Sequence, residues 1–117
     1  MSAKAMDLFH ERQAVAQTIL NQLGSGRFLA MTGAKYLSSV QNAKGEYGLS
    51  MKLPKGFAKN KIECVRIFLS SADLYDFEAY TVSKQGHWQP IAPAPSGIYA
   101  EQLGAAFKEL TGLDTKL

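Results

Sequence analysis

One cysteine, two histidines and one tryptophan are all that the 117-residue chain has of the residue types that usually announce chemistry. The single Cys64 cannot form an intramolecular disulfide, which fits a reducing compartment and leaves the core to be held by packing. His10, His87 and Cys64 have no metal-ligand spacing and cannot close an all-protein zinc site without carboxylates, so neither a metal nor any other cofactor is expected. Long apolar runs are also missing. Met1 to Glu11 carries Lys4, Asp7, His10 and Glu11 and lacks an apolar stretch of signal-peptide length. The uncharged run from Gln13 to Gly26 is interrupted by Gln17, Asn21 and Gln22, too polar to span a bilayer. The C-terminal Asp114-Thr115-Lys116-Leu117 is no lipidation box. These features lead us to expect a cytoplasmic protein with no membrane partner.

What remains is an ordinary globular balance: 46% hydrophobic and 20% charged residues in one domain's length of chain. Leu8, Val15, Ala16, Ile19, Leu20 and Leu23 recur at three- and four-residue spacing and predict an N-terminal helix. Asp7 is its expected cap and Gly24 its stop. From Arg27 the apolar residues Phe28, Leu29, Met31, Tyr36, Leu37 and Val40 predict strand, with Gly33 as a bulge or break. Residues 41–48 look like a hairpin loop, and Leu49, Met51 and Leu53 alternate as a strand ended by Pro54.

The clearest strand signal is 61–70, with Val65, Ile67 and Leu69 on one face and Cys64, Arg66 and Phe68 on the other. A short polar link joins it to 74–83. That hairpin sets Arg66 on the face of Asp76 or Glu78, where a cross-strand ion pair is expected. His87 to Ile91 can add an edge strand, and three of the four prolines make 90–95 an extended connector. Ser96 is the expected cap of a last helix that buries Tyr99, Leu103, Ala106, Phe107 and Leu110 and ends at Gly112. The predicted fold is a single α+β domain over residues 1–117, in which residues 1–6 could be disordered. It has one antiparallel sheet of four to five strands flanked by an N-terminal and a C-terminal helix.

No catalytic constellation emerges. Gly24-Ser25-Gly26-Arg27 lacks the third glycine of a dinucleotide loop and the Gly-Lys-Ser/Thr of a phosphate loop. Cys64 has no sequence-local base, and Asp76 and Glu78 are commonplace charges on a strand face. Lys55-Gly56-Phe57-Ala58 matches the start of the aromatic motif of RNA-recognition domains, but Lys59 and Asn60 break it. A non-enzymatic protein is therefore expected.

The informative feature is charge distribution. Residues 24–66 hold eight basic and two acidic residues, a net +6, whereas residues 67–117 sum to −3 and residues 1–23 to zero. Lysines attract phosphates and a ring offers a stacking surface, the combination that single-strand binders use. The candidate nucleic-acid-binding set is Arg27, Lys35, Lys52, Lys55, Phe57, Lys59 and Lys61, with Phe57 or Tyr36 stacking on bases of single-stranded DNA or RNA. Against this, a basic loop can serve solubility alone, with Phe57 folded back onto the core. The alternative class is a protein-interaction module that modulates a host protein. Its basis is the segment of Trp88, Pro90, Ile91, Pro93 and Pro95, although Trp88 could instead cover one end of the core. A homodimer paired through an edge strand is also open.

Short segments of residues 19–117 carry a resemblance. They are Leu23-Gly24, Arg27 to Lys35, Lys52-Leu53-Pro54, Val65-Arg66-Ile67, Asp73 to Asp76, Gly97 to Ala100 and Thr111-Gly112-Leu113. Together they resemble a group of small proteins carried by phages and other mobile elements. The resemblance implies a genomic setting and transfers no catalytic residue. In architecture alone, a curved antiparallel sheet followed by a C-terminal helix is similar to transcription-coactivator-type single-strand DNA binders.

Overall fold

The computed structural model describes residues 3–91 and 93–115, and the side chains of residues 10–91 and 93–115. Helix α1 spans Ala3–Leu23 and is followed at once by α2, Ser25–Thr32. Five strands come next: β1 Lys35–Gln41, β2 Tyr47–Lys52, β3 Cys64–Leu69, β4 Tyr75–Val82 and β5 Trp88–Ile91. A last helix, α3, covers Leu103–Thr111. The strands form one antiparallel sheet in the order β1-β2-β3-β4-β5, so each pairs with its neighbour in sequence. The α+β class is as expected, with five strands and one helix more than the sequence predicts. Among the described residues, no helix is long and apolar enough to cross a membrane.

The core lies between the helices and one face of the sheet. Alternation drives it: Leu49 and Met51 of β2, Val65 and Ile67 of β3, and Tyr75, Phe77 and Ala79 of β4 are buried, and α1 contributes Ala16, Ile19 and Leu23. Leu103, Ala106, Phe107 and Leu110 bring in α3.

The additional helix is the main departure from the sequence prediction. The run 27–31 is helical, not strand, because Phe28 and Thr32 fall on one helical face and both are buried. Phe28 meets Phe107 of α3 edge to face at 4.9 Å between ring centroids. Gly33 is then a helix end rather than a strand bulge. Its φ of 72° is left-handed and its N–H donates to the Leu29 carbonyl at 2.9 Å. A Cβ at Gly33 would lie 2.8 Å from Pro54 Cγ, so this close approach draws the start of β1 against the end of β2.

Both flanking helices also begin elsewhere than expected. Helix α1 starts at Ala3, so Asp7 is inside it and is no cap. Of residues 1–6, Met1 and Ser2 lie outside the described residues and the rest are helical; Leu8 belongs to the segment whose side chains are not described. Ser96 does not cap α3, which a short 3-10 turn at Ala100–Gln102 leads into. That turn leaves Tyr99 58% exposed and outside the buried stripe. Gly112 ends α3 as expected, at φ 76°. The segment after β5 does not leave the sheet: Phe77 N–H donates to the Pro95 carbonyl, and Tyr75 and Ile98 exchange both backbone bonds.

Candidate nucleic-acid interface

The sheet face away from the helices is open at its margins and covered at its centre. On β3, Cys64 and Phe68 point to this face and are nevertheless buried. Phe68 lies over Gly48 of the neighbouring strand, where a Cβ would come within 2.7 Å of Phe68 Cδ1. Burial pushes the Cys64 thiol above its ordinary 9.0, so it is a neutral, space-filling group at neutral pH.

Two residues beyond Cys64 and next to it along this face, Arg66 does not form the expected ion pair. Glu78 sits opposite it in register, but Glu78 Oε1 accepts a 2.6 Å hydrogen bond from Tyr80 Oη. The Arg66 guanidinium instead lies over the Trp88 ring at 4.9 Å from its centroid and beside Tyr80 at 5.7 Å. The two rings are themselves 5.5 Å apart. Stacking on rings is the preferred contact of a planar, weakly hydrated guanidinium. Arg66 Nε is buried without a hydrogen-bond partner, and such an unmet donor costs about 1–3 kcal/mol. Burial and the Glu78 bond both push the Tyr80 pKa up, burial more strongly. Asp76 is occupied too, accepting from Gly97 N–H at 2.8 Å.

At the other side of the face, β1 carries a bulge. Lys35 pairs with Lys52 and Ser38 with Ser50, so Tyr36 and Leu37 together oppose Met51. Tyr36 adopts φ 56° and is 79% exposed. A left-handed conformation at a bulky residue costs of order 1–3 kcal/mol, and here it turns an aromatic ring outward. The Lys35–Lys52 pairing puts like charges opposite each other, which also costs stability.

Two depressions meet at this point. The first, of about 350 Å³, is lined by Lys35, Tyr36, Lys52, Lys55 and Pro54, with Glu63 as its one acid. The second, of about 260 Å³, shares Tyr36 and Lys52 and continues to Ser38, Ser50, Arg66 and Trp88. The result is a pair of adjoining depressions that share Tyr36 and Lys52, the first bounded by three lysines and the second by Arg66, whose guanidinium lies over the Trp88 ring.

The structure therefore brings together Lys35, Lys52 and Lys55 of the sequence-predicted set. Arg27 is exposed on α2, outside both linings. Phe57 is 71% exposed, not folded onto the core, and lies outside both linings. The Lys59 stem packs along Gly112 at the end of α3, and exposed Lys61 also falls outside both. Sequence reasoning missed Arg66 and Trp88 as members of the site. Alternation already set Arg66 and Tyr80 on one face, but Trp88 joins them only through the register of β4 and β5. Trp88 covers none of the helix-side core and is 43% exposed on the opposite face. No protein-family model, curated protein or solved structure matches the chain.

Proposed function

We propose that the protein is a non-enzymatic binding module for single-stranded nucleic acid, taken up along the helix-free face of the sheet. The observation that carries this reading is the adjacency of the two depressions, which share Tyr36 and Lys52. Lys35, Lys52 and Lys55 meet around one depression, and Tyr36 and Lys52 pass from it into the depression of Arg66 and Trp88. Lysine ammonium groups would hold phosphates, and the Tyr36 and Trp88 rings would stack on bases. Stacking needs unpaired bases, so single strands should bind in preference to duplex. The repulsion between the opposed Lys35 and Lys52 is a cost in the free protein that a polyanionic ligand would offset.

The test is fluorescence anisotropy with a labelled single strand of about 12 nucleotides, near the site size of one such domain. The wild type should bind at low salt. Tyr36→Ala and Trp88→Ala should each weaken binding about 5- to 100-fold, the range for losing one stacked base. Absence of binding at about 50 mM salt, where phosphate contacts are strong, would overturn the proposal.

A further inference from the structure

We propose, building on the nucleic-acid reading above, that the depression between Tyr36 and Trp88 distinguishes keto bases (guanine, thymine and uracil) from amino bases (adenine and cytosine). Beside the Tyr36 hydroxyl, the Trp88 indole N–H and the Cys64 thiol, the polar side chains lining it are Arg66, Lys52, Ser38 and Ser50. Arginine and lysine only donate, and each serine hydroxyl can donate or accept. No carboxylate or carboxamide is among the described lining residues. Glu78, which lies opposite Arg66 on the same face, has its Oε1 taken by Tyr80 Oη.

A base entering this space meets two charged groups that only donate, Arg66 and Lys52, and no side chain that only accepts. Guanine answers with O6 and N7, and thymine or uracil with O4. Adenine and cytosine present an amino group at the equivalent position and would set donor against donor. Arg66 is the discriminating group, because its guanidinium is held over the Trp88 ring, 4.9 Å from its centroid, at the lining of this depression. The volume of about 260 Å³ has room for one base beside the Tyr36 ring and the Arg66 guanidinium.

The experiment compares wild-type affinities at pH 7.5 for oligo-dT against oligo-dC, and for alternating dG-dT against alternating dA-dC strands. Each pair matches purine and pyrimidine content and differs in keto or amino character. The keto strand of each pair should bind about 5- to 100-fold tighter, the range for one well-formed base contact. Arg66→Lys keeps the charge and removes the planar fork, so the keto-to-amino ratio should fall toward one. The wild-type ranking needs no variant and so does not depend on how well the lysine form folds. Equal binding of both strands of each pair, tighter binding of the amino strands, or a full ratio retained in Arg66→Lys would overturn the base preference while leaving single-strand binding intact. Failure to bind any strand would remove both proposals.

Discussion

Salt dependence offers the sharpest quantitative check on the lysine cluster. Three lysines, Lys35, Lys52 and Lys55, surround the first depression, and each would neutralise one phosphate. For a single strand, the logarithm of the affinity falls against the logarithm of salt with a slope of about −0.7 per phosphate. Three contacts give a slope near −2, so affinity should drop about 20-fold between about 50 and 200 mM salt. Lys52→Gln should bring the slope to about −1.4. Lys59→Gln is the contrast: it removes the same charge from the same basic segment, but its stem lies along Gly112 at the end of α3. The slope should then stay near −2. Anisotropy titrations over four salt concentrations measure all three slopes. If Lys59→Gln flattens the slope as much as Lys52→Gln does, net charge rather than the cluster governs binding and the assigned site is wrong.

Two further predictions concern the sheet beneath the site. Gly48→Ala should destabilise the fold by about 1–3 kcal/mol, the usual cost of overpacking, because the added methyl meets Phe68 and the Ile67 carbonyl; urea unfolding measures it, and an unchanged midpoint would contradict the packing described. Stability should also fall in alkali, since burial raises the pKa of Cys64 above 9.0 and of Tyr75 and Tyr80 above 10.0. A raised pKa means the folded state holds its proton more tightly than the unfolded chain, so this contribution is intact below pH 9 and is lost as pH climbs past 9 and 10. Urea midpoints between pH 8 and pH 11 should decline, with Cys64→Ala removing the earliest part of the decline; midpoints that rise over that range would reverse the sign.

The strands β3 and β4 were legible because a sheet buried on one face needs apolar residues at every second position, and 65–69 and 75–79 meet that need locally. The helix at 25–32 was not. Phe28, Leu29 and Met31 form a short apolar run whose periodicity fits either state, and burial of Phe28 against Phe107 decides it. That contact joins residues 79 positions apart along the chain, beyond the reach of any local pattern. The same holds for α3: its stripe and its Gly112 stop are local, whereas the loss of Tyr99 from the core follows from the 3-10 turn that precedes it.

For the site, the order of residues along the chain already sets the sign and rough address of the charge: +6 over residues 24–66. It could not rank the lysines within that segment, because charge carries no direction until the backbone supplies one. Tertiary structure made the selection. The register of β1 and β2 set Lys35 beside Lys52, and the Gly33–Pro54 contact brought Lys55 to them. The turn after β2 sent Lys59 to the far end of α3. Arg66 changed its role for the same reason. Strand alternation offered it Glu78 as a partner, but Tyr80 holds that carboxylate and the β4–β5 register supplies the Trp88 ring. Composition and alternation are properties of neighbours in the chain, whereas a binding surface is made of neighbours in space, and here those came from four separate strand pairings.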